Sequence, residues 1–241
     1  MKVVIINQAR MTSTRLPAKV MKQVLGKPLL EYQIERLKRV KLADQIVVAT
    51  TINDTDQPII DLCDRLSIPC YRGSEEDVLA RYHGAAIANQ ADIVVRVTSD
   101  CPVIDPQVID QAIQFYIDSH PKYDYVSNCL EGSYPRGMDT EVFTFKVLDE
   151  AFYQATAQSD REHVTPFIYR QSNRYKLGQV NYFENQGDYR WTVDMPEDFE
   201  LIKKIIENLY PFKPDFTLED CLALLFQNPE WNMINKHIQQ K

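Results

Sequence analysis

The sequence predicts an α/β fold in which a mostly parallel sheet is covered by helices on both faces. Short runs that are apolar on both sides of a strand, at 3–6, 45–50 and 93–98, alternate with segments of 10–15 residues whose apolar positions recur at helical spacing. Strands buried on both faces belong to parallel sheets, because the helices that connect them cover the sheet from either side. The 241 residues are 44% hydrophobic and 25% charged and hold no repeat, low-complexity tract or Gly/Ser linker, so 1–241 reads as a single domain able to bury such a sheet.

Taken in order, residues 3–6 (VVII) form the first buried strand, and after a polar loop 28–37 places Leu30, Ile34 and Leu37 on one helical face. A second buried strand, 45–50 (QIVVAT), leads to a helix over 56–66 with Ile59, Ile60, Cys63 and Leu66 in phase. A short strand around Cys70 and Tyr71 precedes a helix over 76–89, which turns Leu79, Tyr82, Ala86 and Ile87 inward. The strand 93–98 (IVVRVT) and the helix 106–118 follow. From about 123 to 187 the pattern loosens into β-like pieces at 125–127, 141–145 and 175–182 around helices near 146–154 and 161–170. This irregular region is expected to cover the site, to bind an acceptor and, through exposed-looking Tyr116, Tyr123, Tyr125 and Tyr134, to build a homodimer. The chain then rejoins the main sheet as a strand at 189–193 (YRWTV) and closes with helices at 196–209 and 218–226. Open α/β sheets bind ligands beyond the carboxyl ends of their strands, which singles out the residues after Ile6, Thr98 and Val193.

Composition removes several function classes. With 27 Lys+Arg against 34 Asp+Glu, a net charge of −7, the surface repels polyanions and no nucleic-acid partner is expected. No apolar run approaches the roughly 18 residues that span a bilayer, and Met1-Lys2 leads into no apolar signal core, so neither membrane insertion nor export is expected. The five cysteines are odd in number and form no C-x-x-C pair, which fits reduced thiols in a cytoplasmic protein rather than a disulfide framework or a zinc site.

Chemistry concentrates at the predicted strand ends. The loop after the first strand brings Arg10, Arg15 and Lys19 together with the hydroxyls of Thr12, Ser13 and Thr14, either as a cradle for a polyphosphate or as a solvated basic loop. It matches neither the P-loop pattern nor G-x-G-x-x-G. Asp100 and Asp194 end two strands and could share a hard divalent cation such as Mg²⁺; Asp194 with Glu197 equally reads as a helix capping box. Asp54 and Asp56 form a D-x-D triplet of the kind that binds metal in many glycosyltransferases, but their place before a helix favours an N-cap. Arg72 and Arg81 flank the 73–77 loop as base or ribose contacts or as solvated side chains. Residues 137–141, with Asp139 and Glu141, and 161–164, with Arg161 and His163, suit an acceptor pocket or a surface turn and helix start. No Ser/His/Asp triad is present, and Cys101 reads as core.

The string ARMTSTRLPAK at 9–19 resembles the nucleotide-binding signature of the acylneuraminate cytidylyltransferase superfamily, whose members make CMP-activated sialic acid and Kdo. Within it the chain is most similar to the spore coat polysaccharide biosynthesis protein F family, through QAR at 8–10, VTSDCP at 97–102, GMDTEVF at 137–143, REHVTP at 161–166 and WTVDMPED at 191–198. The resemblance implies a three-layer α/β/α sandwich of the nucleotide-diphospho-sugar transferase type. It also implies cytidylyl transfer from CTP to a sugar, of the nonulosonic or a related acidic class, for surface polysaccharide. Lys19, Arg10 and Asp100 would be the catalytic set, and Ala9, Ser13, Arg15, Arg72, Arg81, Thr98 and Ser99 would complete the nucleotide site. Asp100 and Asp194 would hold Mg²⁺, and Arg136, Asp139, Glu141, Arg161 and His163 would bind the acceptor. The chain departs from the sialic acid and Kdo enzymes in having Asn7-Gln8 where they have Ile-Pro, and their sugar-pocket motifs do not map onto its middle region. Two other functions suit the same residues: a glycosyltransferase of related fold, and a protein that binds a nucleotide without turnover. Pyrophosphate release marks nucleotidyl transfer as against glycosyl transfer, and nucleotide binding without any pyrophosphate marks the non-catalytic protein.

Overall fold

Strand β1 (Val3–Gln8) runs parallel to β4 (Gln45–Thr51) on one side and to β6 (Ile93–Thr98) on the other. The structure, a computed structural model, describes residues 1–238. Because strand side chains alternate between faces, β1 shows how the layers arise. Val3 and Ile5 enter a core shared with α1 (Leu29–Leu37), α4 (Pro106–Asp118), α8 (Pro196–Leu209) and α9 (Leu218–Gln227). Val4 and Ile6 enter a second core with α3 (Val78–Ala88), α5 (Phe145–Gln154) and α7 (Pro166–Tyr169). Each buried Val or Ile contributes about 1.5–3 kcal/mol, so a strand apolar on both faces requires both helical layers. A smaller core joins α2 (Gln57–Leu66) to α1 through Ile59, Leu62 and Cys63 against Leu30 and Ile34.

Among the described residues the sheet has seven strands in the order β5-β4-β1-β6-β8-β7-β9, completed by β5 (Cys70–Gly73), β7 (Tyr125–Ser127), β8 (Glu141–Thr144) and β9 (Leu177–Gln179). Only β8 runs antiparallel to its neighbours, so the three-layer, mostly parallel architecture expected from the sequence is the one observed. A small ladder of β2 (Gln23–Val24) and β3 (Lys27–Pro28) turns through Leu25 and Gly26, both at positive φ. Helix starts follow local chemistry. Asp77 accepts from Ala80 N (2.9 Å) at α3, and Asp105 from Gln107 N (2.8 Å) at α4, where Pro106 needs no N–H partner. Asp105 also accepts from Leu218 N (2.6 Å) and so ties α9 to α4.

Several expected elements differ. The segment 189–193 is extended but joins no ladder: Trp191 N donates to Arg136 O (2.7 Å) and Val193 N to Asp100 O (2.8 Å), so it crosses the end of β6 instead of lying along the sheet. The helix expected over 161–170 is split into α6 (Gln158–His163) and α7, because Val164 takes φ 72° and Pro166 has no N–H to continue the first helix. Of 175–182 only β9 is paired. Tyr116, Tyr125 and Tyr134, expected on the surface, are buried, and Tyr123 stacks on Phe115, which removes the aromatic surface from which a homodimer was expected.

Candidate active site

β1 and β6 end level with each other, Gln8 opposite Thr98, and the basic loop leaves from the end of β1. A buried carboxylate shapes that loop. Asp56 accepts from Met11 N (2.7 Å), Thr50 Oγ1 (2.9 Å), Thr51 N (3.0 Å) and Thr51 Oγ1 (2.5 Å). Burial alone would raise its carboxyl, but these donors hold it below the ordinary range. The D-x-D is therefore a structural brace: Asp56 stands at the start of α2 without capping it, and neither aspartate lines the cavity described below. Ala18 N closes the loop on Met11 O (3.0 Å), and the left-handed backbone at Ala18 (φ 55°) turns Lys19 inward at the head of a short 3₁₀ turn, Lys19–Met21.

Lys19 meets the two predicted carboxylates. Its Nζ lies 2.9 Å from Asp100 Oδ2 and 2.8 Å from Asp194 Oδ1. Arg15 reaches Asp194 Oδ1 at 3.0 Å and Arg190 reaches Asp194 Oδ2 at 3.2 Å. Burial would raise the Asp100 carboxyl and lower the Lys19 ammonium; their mutual attraction outweighs it, so Asp100 is held below, and Lys19 above, its usual value. Thr98 Oγ1 orients Asp100 from 2.6 Å.

Asp194 is available for this cluster because it does not cap the helix. The predicted box with Glu197 is displaced by one residue: Met195 is the N-cap, and Asp198 accepts from both Asp194 N (3.0 Å) and Met195 N (2.9 Å). Asp198, fully buried, also holds Arg190 through Nε (2.9 Å) and so aims that guanidinium at Asp194.

A cavity of about 580 Å³ lies over these strand ends. The structure brings Ala9, Arg10, Ser13, Arg15 and Lys19 to it from the loop, Thr98, Ser99 and Asp100 from the end of β6, and Asp194 from before α8. Arg81 and His163 also line it. Arg81 is buried: one guanidinium nitrogen donates to Ser74 O (2.8 Å), while Nε has no partner, so it is not the solvated helix side chain its position on α3 could suggest. His163 ends α6 just before Val164, whose φ of 72° and ψ of −54° with Thr165 N donating to His163 O (2.9 Å) make a γ-turn, a strained conformation for a β-branched residue.

Other predicted residues lie elsewhere. Arg72 is off the cavity; its guanidinium is taken by Thr51 O (3.1 Å) and Ile52 O (2.7 Å), because it stands on edge strand β5 beside the carboxyl end of β4. Glu141, expected at the acceptor, is buried on β8 and accepts from Arg96, Tyr125 Oη (2.5 Å) and Thr165 Oγ1 (2.6 Å). Arg161 pairs with Asp77 and donates to Phe152 O (2.6 Å), fastening α6 onto α3 and α5. Arg136 and Asp139 line a second cavity of about 490 Å³ with Asn128, Tyr134 and Arg190. They sit 4.0 Å apart. Burial pushes the Asp139 carboxyl up to about 6, with Arg136 opposing and Glu141 adding to the rise. Arg190 joins the two cavities, since it lines the second and bonds Asp194 on the wall of the first.

Among the residues at the site that were not singled out from the sequence are Arg96, Glu75 and Arg190. Arg96 lines the first cavity above its partner Glu141; a lone charge within the apolar run 93–98 was the available signal. Glu75 receives Arg10 (3.3 Å), Thr12 and Asn53 across the cavity mouth. Arg190 lay hidden in a segment that reads as strand.

Asp100 and Asp194 offer hard oxygen donors, and no group of three or more His, Cys, Asp or Glu side chains suited to a metal occurs among the described residues. That donor set fits Mg²⁺ bound together with substrate phosphates, not an all-protein metal cage.

Comparison with known proteins shows the family. The cytidylyltransferase family model matches residues 3–220. The chain is 36% identical over 244 residues to an uncharacterised protein of Methanocaldococcus jannaschii, covering 100% of this chain and 97% of that one. It is 32% identical over 238 residues to the spore coat polysaccharide biosynthesis protein SpsF of Bacillus subtilis, covering 95% of each. A solved cytidylyltransferase from Leptospira borgpetersenii superposes with a TM-score of 0.93 at 30% identity, covering 100% of this chain and 99% of that one. Sequence and fold thus agree, and the chain belongs to the cytidylyltransferase family.

Proposed function

We propose that the protein transfers the cytidylyl group of CTP to a hydroxyl of an acidic sugar, giving a CMP-sugar and pyrophosphate for surface polysaccharide. The observation that carries this reading is the meeting of Lys19, Asp100 and Asp194 beneath the Arg10/Arg15 loop at the ends of β1 and β6. A bond forms between the sugar oxygen and the α-phosphorus as the bond from that phosphorus to the bridging oxygen breaks. Pyrophosphate leaves with the electron pair, and the hydroxyl proton passes to solvent.

Such a reaction asks the protein chiefly to position groups and to neutralise charge. Arg10 and Lys19 would do this at the departing phosphates, with Arg15 beside them. Asp100 and Asp194 would hold Mg²⁺, which when bound supplies positive charge at the phosphate oxygens. Arg81, with an unpartnered buried Nε, and Glu75 line the cavity and would meet the nucleoside. Arg136, loosely paired to Asp139 at 4.0 Å and facing the second cavity, suits the carboxylate of an acidic sugar. A homodimer in the cytoplasm stays part of the proposal on family resemblance, and light scattering during gel filtration tests the dimer.

The test is pyrophosphate release from CTP, UTP, ATP or GTP with Mg²⁺ and a panel of acidic sugars, preceded by thermal shifts with each nucleotide. A ligand at 100 times its Kd adds about 2.7 kcal/mol to stability, an easily visible rise. A rise selective for CTP, with pyrophosphate formed only when a sugar is present, is expected. Nucleotide binding without pyrophosphate under every condition would replace this reading with nucleotide sensing.

A further inference from the structure

Lys19 occupies the space that the two carboxylates would offer a divalent cation. The nitrogen lies within 2.9 Å of one oxygen from each, and the lysine side chain is only 13% exposed. Among the described residues it is the one cation at ion-pair distance from Asp100, whereas Asp194 also holds Arg15 and Arg190. A magnesium ion bonds oxygen at about 2.0–2.1 Å, so an ion shared by both carboxylates needs the volume where this nitrogen sits. Its charge would also face the ammonium at contact distance, with two guanidiniums behind. Lysine, however, carries its charge on a flexible four-carbon stem. The loop's backbone anchors, Met11 N to Asp56 and Ala18 N to Met11 O, do not involve that stem, so the ammonium can swing toward a triphosphate without unmaking the loop.

We propose, on the basis of the nucleotidyl-transfer reading, that Lys19 keeps divalent cations off Asp100 and Asp194 until a bound nucleoside triphosphate draws its ammonium away. Metal and nucleotide then enter the site as a coupled pair. In the nucleotide-free protein the lysine neutralises the carboxylates; in the loaded protein it neutralises phosphate, and the metal takes its place.

The test titrates Mn²⁺ into the full chain and follows free Mn²⁺ by electron paramagnetic resonance, for wild type, Lys19→Met and Lys19→Gln without nucleotide. Wild type is then titrated with CTP present, where water-proton relaxation separates enzyme-bound from free Mn²⁺–CTP. Nucleotide-free wild type is expected to bind Mn²⁺ at least tenfold more weakly than either variant. Adding Asp100→Asn to Lys19→Met should remove the gain, and CTP should confer tight Mn²⁺ binding on wild type. Wild type that binds Mn²⁺ without nucleotide as tightly as the variants overturns the proposal, as does a gain that survives Asp100→Asn. If the methionine variant does not fold, the glutamine variant and the wild-type arm decide the matter. Release of pyrophosphate from CTP by a wild type that binds Mn²⁺ tightly on its own would overturn the exclusion alone. A gain in both variants with no response to CTP would leave the exclusion standing and sink CTP as the substrate.

Discussion

Asp194 receives Lys19, Arg15 and Arg190 within 3.2 Å, while Asp100 has Lys19 alone among described cations. Removing a preorganised charge contact of this kind costs about 2.7–4 kcal/mol in the transition state. Lys19→Ala is therefore expected to lower turnover roughly 10²–10³-fold with its circular dichroism unchanged; near wild-type turnover would exclude Lys19 from the chemistry. Asp139 makes a prediction about stability. Its folded value of about 6 lies above that of a free carboxyl, so the neutral form is the one the fold favours. Its contribution is most favourable below about pH 4 and is lost as pH rises through about 6. Asp139→Asn should thus melt higher than wild type at pH 8, with the gap closing toward pH 4, by thermal unfolding across that range. A gap that widened in acid would refute the burial effect.

At the level of elements, a one-residue shift in the cap of α8 decides the chemistry of its neighbour. Met-Pro-Glu-Asp at 195–198 offers two acids near the helix start, and sequence spacing prefers Glu197 against Asp194. Asp198 wins because it is buried beside Arg190 and Asn235, where a carboxylate needs several donors. Burial would raise that carboxyl, but Arg190 and Asn235 hold it below its usual value. Its stabilisation is therefore present above about pH 4 and fades as acid titrates it below that point. Asp198→Ala should cost about 3 kcal/mol in urea unfolding at pH 7, since it takes one carboxylate from the Arg190 guanidinium and the acceptor from the N–H groups of Asp194 and Met195. The deficit should shrink in acid, and a deficit independent of pH would assign the loss to packing. The split of 161–170 into α6 and α7 has a comparable origin: Pro166 could be read from the sequence as a breaker, but the γ-turn at Val164 follows from the contacts that fix α6 to α3.

Across the whole molecule, Arg96 and Glu141 join the parallel half of the sheet to the antiparallel strand beside it, in register across β6 and β8. Burial opposes the Arg96 charge, yet Glu141 more than compensates and raises its affinity for the proton. Arg96→Met leaves Glu141 buried without its partner and should cost about 3–5 kcal/mol, whereas Arg96→Met with Glu141→Gln should recover most of it. Calorimetry of the single and double variants checks this, and equal losses would refute the coupling.

The sequence by itself determined the layers, because a strand apolar on both faces can be stable only between two sheets of helices, and periodicity reports that directly. It also determined that the loop after β1 is cationic, since Arg10, Arg15 and Lys19 lie within one short segment. Tertiary structure alone decided which partners those cations meet. Lys19 joins Asp100 across 81 positions and Asp194 across 175. That meeting depends on the register of β1 against β6, on the path of 189–193 over the strand end and on the cap that releases Asp194. Packing and burial set these three conditions, and no local pattern along the chain records them.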